Sequence, residues 1–359
     1  MCPSGPGLFG TVAVVGGGVI GLSCAWRAAS AGFAVTVHDP APGSGASYVA
    51  GGMLAPVTEA VPGEPELLAM GAVALRRWPD FAAELTAAGA DPGLRTRGTL
   101  VVALDPGDRA ELDRIAEQLS RAGRQVEVLR GSQVRRVEPS LGPQVRRALS
   151  VPGDLSVDNR ALLTALLMAC RRAGVSFRSQ RCTALPVADV VVLAAGAHSA
   201  ALHPALARVI RPVKGEILRL SARPGTLAPP SRTVRAIVGG RHSYLVPRDG
   251  GSLVVGATQR EAGFDTEVTA GAVRELLADA ERVLPAIAEY TLQETAAGLR
   301  PGSPDNLPVI GELEPGVLAA TGHHRHGILL APLTADVVLA LLRGEDVPGV
   351  AAPAAPARL

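Results

Sequence analysis

The feature that most constrains the fold is a strand–glycine–helix–strand unit near the amino terminus. Thr11–Val15 is a short apolar run typical of a buried parallel strand. Glycines then occupy the first, third and sixth positions of a G-x-G-x-x-G pattern, and a helix is predicted over Leu22–Ala31. A second strand is predicted over Ala34–His38, and Asp39 ends it, 18 residues after Gly21. This order predicts a Rossmann-like, doubly wound α/β domain.

The same unit predicts a dinucleotide site at the carboxyl end of the first strand. Gly16 allows a tight turn, Gly18 lets the backbone approach a pyrophosphate, and Gly21 lets the helix pack on the strand. The helix N-terminus favours phosphate, and Asp39 can accept hydrogen bonds from a ribose hydroxyl. FAD and NAD(H) both fit this pattern. The residues assigned here are Gly16, Gly18, Val19, Ile20, Gly21, Asp39 and Pro40.

Composition excludes several classes of protein. Hydrophobic residues make up 47% of the 359 residues, which is enough for a sizeable core, and the net charge of +2 argues against nucleic-acid binding. The apolar stretch Thr11–Val37 contains many glycines and Arg27, so we predict no membrane span and a soluble, cytoplasmic protein. The cysteines match no zinc or redox spacing; they are Cys2, Cys24, Cys170 and Cys182.

Two interleaved domains are predicted. Residues 1–76, 151–212 and 296–345 would form the dinucleotide-binding domain, which includes a buried strand over Val187–Gly196. A run of strands away from any βαβ alternation predicts an α+β substrate domain with a mostly antiparallel sheet, formed by residues 77–150 and 213–295. Its predicted elements are strands at Val213–Leu220, Ile237–Val246 and Ser252–Ala257 and a helix at Thr269–Ile287. Residues 346–359 are expected to fray.

Three further segments are predicted to face the ligand. Pro42–Pro56 is a loop rich in Gly, Ala and Ser that directly follows the acidic strand end. A small-residue turn at Gly196 ends a predicted parallel strand, where doubly wound sheets bind ligands. Gly316–Pro332 forms a second strand–loop–helix unit. The loop residues that could offer N–H groups or a hydroxyl are Ala46, Ser47, Gly51, Gly52 and Met53.

Motifs along nearly the whole chain carry a family resemblance. Beside the glycine motif they are AGGMLAP (50–56), VKGE (213–216), YLVPR (244–248), GLRP (298–301), DNLPVIG (305–311) and TGHHRHGILLAP (321–332). Together they resemble the FAD-dependent amine oxidases of the D-amino-acid oxidase and sarcosine oxidase type. Within that type they are similar to the glycine oxidases of thiamine biosynthesis. The resemblance implies non-covalent FAD, a substrate pocket under the flavin, and a homo-oligomer, often a tetramer.

The activity implied is oxidative deamination of glycine by hydride transfer from Cα to flavin N5. The products would be glyoxylate or its imine, ammonia and hydrogen peroxide, and the imine could pass to a thiazole-forming enzyme. Sarcosine, D-alanine, another D-amino acid or proline remains an alternative substrate. A dye- or quinone-linked dehydrogenase, or a non-catalytic FAD-binding subunit, remains an alternative function.

Site residues follow from the chemistry and the resemblance together. The planar guanidinium of Arg300 suits bidentate binding of a substrate carboxylate, with Tyr244 donating a second hydrogen bond. By resemblance, His242 and Arg325 line the mouth of the pocket, and a backbone group near Thr183 meets the adenine. The flavin's pyrimidine side would face His323, His324, Arg325, His326, Gly327, Ile328 and Leu329. The histidine spacing argues against a metal site.

One segment departs from the family pattern. Relatives carry a β-meander between the strand after Gly174 and the VVVLAAG strand, whereas here only Ser179–Val187 remains. Since Thr183 lies in this shortened segment, the adenine side of the cofactor site is where this chain differs from the family.

Overall fold

The computed structural model describes residues 10–61, 63–121, 123–124 and 126–359, so Cys2 and the amino-terminal segment lie outside it. The helices are α1 (Val19–Ser30), α2 (Ala46–Val49), α3 (Pro65–Ala87), α4 (Pro106–Arg121), α5 (Ser132–Val137), α6 (Asn159–Arg172), α7 (Ala270–Val283) and α8 (Gly327–Arg343). The strands of the first half are β1 (Thr11–Val15), β2 (Ala34–His38), β3 (Met53–Leu54), β4 (Thr99–Ala103), β5 (Glu127–Arg130), β6 (Arg147–Val151), β7 (Leu155–Ser156) and β8 (Ser176–Arg178). Those of the second half are β9 (Val190–Leu193), β10 (Arg211–Ser221), β11 (Thr233–Val238), β12 (Arg241–Pro247), β13 (Ser252–Gly256), β14 (Thr291–Gly302), β15 (Val309–Glu314) and β16 (Val317–Thr321).

A six-stranded sheet with the order β15-β16-β9-β1-β2-β8 forms the first layer. Its strands run parallel except β15, which pairs antiparallel with β16. Valines of β1 and β2 on one face pack against α1, α6 and α8 in a single core, which also includes the buried face of α3. The predicted doubly wound α/β domain is confirmed.

Helix α8 belongs to this core. It is apolar and long enough to cross a membrane, with a mean hydropathy of 1.5 in its most apolar window, but 67% of that window is buried inside the protein. Leu330, Ala331 and Leu333 are fully buried. Because its apolar surface is already covered by protein, α8 is a core helix.

An eight-stranded sheet with the order β14-β10-β13-β12-β11-β4-β6-β5 forms the second layer. All neighbouring pairs are antiparallel except β4 with β11. One face packs on α7 around Leu276, Ala280 and Val283. The predicted α+β part with a mostly antiparallel sheet is confirmed.

Two element predictions in this layer were wrong in detail. The single strand predicted over Ile237–Val246 comprises the end of β11, a turn and most of β12, because Gly239 and Gly240 both have positive φ (58° and 77°) and reverse the chain. The predicted helix Thr269–Ile287 ends at Val283. Leu284 has φ −130° and ψ 83°, since the proline that follows it disfavours helical backbone.

Predictions around the first sheet also need correction. The strand predicted over Val187–Gly196 is confined to β9, and Val187 is fully exposed. The loop Pro42–Pro56 contains α2 and β3, the latter paired with β7.

The tail does not fray. Residues 349–354 and 356–358 form 3₁₀ turns, Ala351 and Ala354 join the core, and Arg358 pairs with Asp305. Alanine and proline lower the entropic cost of ordering such a segment, and burial of the alanines then holds it in place. The domain boundaries predicted at residues 76/77 and 295/296 fall inside α3 and β14, two continuous elements.

Candidate active site

One cavity of about 1350 Å³ lies between the carboxyl edge of the first sheet and the second sheet. Residues from β1, α2, β12, β14 and the start of α8 line it. Of the predicted site residues, those that line it are Gly16, Gly18, Val19, Ile20, Asp39, Pro40, Ala46, Ser47, Gly51, Gly52, Met53, Thr183, Gly196, His242, Tyr244, Arg300, His323, His324, Arg325, Gly327 and Ile328. Residues far apart in the chain are thus brought to one site.

Three predicted site residues do not line the cavity. Gly21 lies beneath it, where a Cβ would stand 1.9 Å from the carbonyl oxygen of Gly16, so glycine is needed for the close approach of α1 to the strand. His326 and Leu329 face a smaller cleft beside Glu59. The carbonyl of Leu329 accepts a hydrogen bond from the Trp78 indole at 2.9 Å.

The nucleotide end of the cavity has the features of a phosphate cradle. Gly16 has φ 107°, and a Cβ there would lie 2.3 Å from the carbonyl oxygen of Ala194. The N–H groups of Gly18 and Ile20 have no partner among the described residues, whereas the N–H of Val19 donates to Ser47 Oγ at 3.0 Å. Unpaired donors at a helix N-terminus suit an anion, so this end fits the pyrophosphate of a dinucleotide.

Asp39 lies at the same nucleotide end of the cavity. One carboxylate oxygen accepts the N–H of Gly17 and the other the N–H of Ala41, both at 2.7 Å. These bonds fix the carboxylate at the end of β2, and its remaining lone pairs can accept ribose hydroxyls. In the shortened segment, Thr183 reaches the same cavity wall.

The middle of the cavity offers further unpaired donors. Gly51 and Gly52 are buried, and the structure gives their N–H groups no partner within the described ranges. Gly52 has φ 74°, and a Cβ would meet the carbonyl oxygen of Val157 at 2.1 Å. A buried N–H without a partner is costly, so a polar ring system with acceptor atoms, such as a flavin, fits here.

Arg300 projects from β14 toward the second-sheet side of the cavity. Its guanidinium lies over Gly215 of β10, where a Cβ would stand 2.3 Å from Nη1, and it donates to the carbonyl of Thr258 at 3.2 Å. In the part of the chain that the structure describes, no carboxylate lies within 4.0 Å of it. An unpaired guanidinium beside a cavity suits an anionic ligand.

Tyr244 lies next to this guanidinium. Its ring is held against Gly51 and Gly256, where a Cβ would stand 2.9 Å and 2.4 Å from ring or hydroxyl atoms. Desolvation raises the pKa of Tyr244 above its usual value, although the nearby Arg300 opposes this. The phenol therefore stays protonated at neutral pH and can donate a hydrogen bond into the cavity.

The two residues predicted for the pocket mouth are both paired. His242 is half exposed and its Nε2 lies 3.1 Å from Glu111 on α4. Arg325 donates to His326 Nε2 at 3.1 Å and lies 3.6 Å from Glu64. Arg325 thus has a carboxylate partner, and Arg300 is the better candidate for a substrate carboxylate.

The three histidines before α8 are buried and neutral. His323 Nε2 and Thr334 Oγ1 are 2.9 Å apart, whereas neither ring nitrogen of His324 has a partner among the described residues. Burial, with nearby cationic or imidazole groups, lowers the pKa of His323, His324 and His326 to about 3. Within the described residues, no group of three or more His, Cys, Asp and Glu could hold a metal ion.

A buried polar cluster beside the cavity has no counterpart in any sequence motif. Arg235 donates to the carbonyl of Thr58 and lies 3.8 Å from Glu59. Thr58 Oγ1 donates to Asp154 at 2.7 Å, and burial raises the pKa of Asp154 to about 7. These residues are distant in sequence and belong to no motif, so only the fold brings them together.

Comparisons with known proteins agree with this geometry. The family model described as "FAD dependent oxidoreductase" matches residues 11–341. A putative thiamine biosynthesis oxidoreductase ThiO of Rhizobium etli is 37% identical over 93% of this chain and 97% of its own. A glycine oxidase of Pseudomonas putida is 32% identical over 93% and 95% of the two chains.

A solved structure extends the likeness to three dimensions. The crystal structure of glycine oxidase from Geobacillus kaustophilus superposes with a TM-score of 0.89 and 32% identity, covering 98% of this chain and 99% of that one. The match thus includes both sheets and the cavity between them. The chain belongs to the family of FAD dependent oxidoreductases.

Proposed function

We propose that this protein oxidises glycine with O₂ and water to glyoxylate, ammonia and hydrogen peroxide in thiamine biosynthesis. The observation that carries the proposal is the guanidinium of Arg300, which has no carboxylate partner among the described residues and lies beside Tyr244 in the cavity that also holds the phosphate cradle. The names of the Rhizobium, Pseudomonas and Geobacillus relatives support this reaction and this pathway.

Arg300 and Tyr244 would hold the substrate carboxylate. The guanidinium offers parallel N–H donors, and the protonated phenol offers a third bond from a different direction. Two points of attachment at one end of an amino acid restrict the direction of its Cα–H bond, and such orientation supplies much of the rate.

The cofactor would be FAD, held non-covalently. When bound, it supplies the acceptor for the hydride that leaves the substrate Cα, and passes the electrons to O₂. Its phosphates would be held by Gly16, Gly18, Val19 and Ile20, with Gly21 allowing α1 to approach, and its ribose by Asp39 and Pro40. The remaining contacts would come from the other predicted residues that line the cavity, which are Ala46, Ser47, Gly51, Gly52, Met53, Thr183, Gly196, His323, His324, Arg325, Gly327 and Ile328.

The start of α8 would favour negative charge on the bound ring system. Gly327 and Ile328 line the cavity at a helix N-terminus that no side chain of the described residues caps, so its N–H groups and dipole are available to a ligand there. The three neutral histidines beside it add no positive charge. We propose no general base, because a neutral substrate amine is sufficient for loss of the hydride.

We propose a cytoplasmic homo-oligomer, by family resemblance a tetramer, that can pass its imine product to a thiazole-forming enzyme. Size-exclusion chromatography with light scattering measures the oligomer directly. A monomer at micromolar concentration would contradict the assembly.

The reaction is tested by oxygen consumption with purified, FAD-loaded protein. Glycine, sarcosine, D-alanine and proline are compared at equal concentration, and peroxide, ammonia and glyoxylate are measured in the same samples. Glycine should give the highest kcat/KM, with equal amounts of the three products. Turnover with a bulkier amine alone would show that glycine is not the substrate, and dye reduction without oxygen consumption would indicate a dehydrogenase.

A further inference from the structure

A buried amide connects the two sheets directly beneath the cofactor loop. Asn159 is the first residue of α6 and is fully buried. Its Nδ2 donates to the carbonyl oxygens of Ser47 at 2.9 Å and Tyr48 at 2.8 Å. Its Oδ1 accepts from Arg219 Nη2 at 3.1 Å and Arg248 Nη2 at 3.2 Å. All four hydrogen-bonding positions of the amide are used, so its orientation is fixed.

Arg248 extends this connection along the loop. It is 7% exposed, donates from Nη2 to the carbonyl oxygen of Gly51 at 2.8 Å, and lies 3.3 Å from Asp158. Burial lowers its pKa to about 10, which still leaves the guanidinium charged at neutral pH. Three carbonyls of the segment 47–51 are therefore bound from below by two side chains that come from different layers.

The opposite side of this segment faces the cavity. Ser47 Oγ accepts the N–H of Val19 at the start of α1, and the N–H groups of Gly51 and Gly52 have no partner in the part of the chain that the structure describes. Helix α2 has four residues and cannot hold its own conformation in water. Its carbonyl contacts must supply the order that its length cannot.

We propose that Asn159, supported by Arg219 and Arg248, is a positioning residue of the FAD site, which orders residues 46–53 and thereby aims the Gly51 and Gly52 donors at the flavin. The inference rests on the proposed function only in placing FAD in this cavity. It does not depend on glycine as the substrate. None of these three residues lies within the glycine motif or the carboxylate pair, and they act through the backbone of the loop.

The sharpest test is Asn159→Asp. The carboxylate keeps its bonds to Arg219 and Arg248 and keeps the side-chain volume, but it loses both donors and places an oxygen against the carbonyls of Ser47 and Tyr48. We expect the dissociation constant of FAD to rise about tenfold or more, and the midpoint potential of bound flavin to shift. The matched control is Arg171→Ala, an exposed change on the same helix, which should alter neither quantity. Unchanged affinity and potential in Asn159→Asp would overturn the proposal.

A second measurement needs no variant. Hydrogen–deuterium exchange of the wild-type apoprotein should show the amides of Tyr48 and Ala50 protected, because the contacts from Asn159 and Arg248 order α2 without the cofactor. Exchange at the rate of an unstructured peptide would overturn the proposal even if Asn159→Asp failed to fold. Wild-type protein that binds FAD but does not oxidise glycine would refute the proposed substrate alone. Wild-type protein that cannot bind FAD would refute both the proposed function and the positioning role of Asn159.

Discussion

Removal of the Arg300 guanidinium should weaken substrate capture far more than it weakens the fold. At an effective dielectric constant of about 20, a carboxylate about 4 Å from a guanidinium gains about 4 kcal/mol. Truncation of one member of a buried charged pair costs about 2–5 kcal/mol. Arg300 is half-buried, so we take the lower part of that range, about 2–3 kcal/mol, for Arg300→Ala. This corresponds to a loss of roughly 30- to 150-fold in kcat/KM.

A second substitution moves the same guanidinium without deleting it. An alanine Cβ at Gly215 would stand 2.3 Å from Arg300 Nη1, so Gly215→Ala should push the end of that side chain aside. The colliding atom is the far end of a flexible side chain, which can shift at small cost to the fold. We expect Gly215→Ala to lower kcat/KM as Arg300→Ala does, but by a smaller factor.

Rapid-mixing measurement of flavin reduction under anaerobic conditions separates weaker binding of glycine from slower reduction of the flavin. Both variants should raise the dissociation constant of glycine while FAD remains bound. The exposed change Arg223→Ala, which breaks only a surface pair with Glu289, serves as the control. Glycine affinity and reduction rate equal to wild type in Arg300→Ala would refute the assignment of the carboxylate site.

Three further predictions follow from the geometry. Gly16→Ala should abolish FAD binding, measured by flavin fluorescence titration, because its Cβ would collide with the Ala194 carbonyl at a φ that disfavours alanine; near-normal affinity would contradict the cradle. The pKa of Asp154 is raised from 3.8 to about 7, so the folded state holds this proton more tightly than the unfolded state does. The stability that the bound proton contributes is therefore lost as pH rises from about 4 through 7. Denaturant titration should show that the unfolding free energy of Asp154→Asn falls less than that of wild type over this pH interval, the difference being up to about 4 kcal/mol. Parallel pH profiles of the two proteins would refute this. The pKa of His324, lowered to about 3, predicts no ionisation of this group between pH 5 and 8, so His324→Gln should leave the shape of the kcat/KM profile unchanged; loss of a titration step would contradict it.

The nucleotide end could be predicted from sequence because its residues are close along the chain. Gly16, Gly18 and Asp39 occupy one βαβ unit, whose spacing is set by the geometry of a strand, a turn and a helix. In the structure Gly21 allows α1 to pack closely on the strand, as its place in the motif predicts, but it does not line the cavity. Local spacing predicts local geometry, and here one unit of chain forms that end of the cavity.

The substrate side depends on strand pairing, which the sequence does not encode locally. Arg300 reaches the cavity because β14 pairs with β10 over its length and places the side chain over Gly215. Arg300 can be identified from its chemistry and the family resemblance, but the residues around it do not predict the strand β14. The polar segment Thr291–Gly302 lacks a clear alternation of apolar and polar residues, so its pattern did not reveal it.

Buried polar contacts between distant segments were not predictable at all. Asn159 looks like an ordinary first-turn residue of a helix, and Arg248 like the end of a strand before a Gly-rich turn. Their roles appear only when α6, β12 and the loop after β2 meet. Asp154 and Arg235 were missed for the same reason.

The most direct test of the central claim is the visible spectrum of the FAD-loaded protein during anaerobic addition of glycine. The account predicts that glycine bleaches the oxidised flavin band and that admission of O₂ restores it with formation of one peroxide per flavin. A flavin band that glycine leaves unchanged, while a bulkier amine bleaches it, would contradict glycine as the substrate. A flavin band that no small amino acid bleaches would contradict the role assigned to Arg300 and Tyr244.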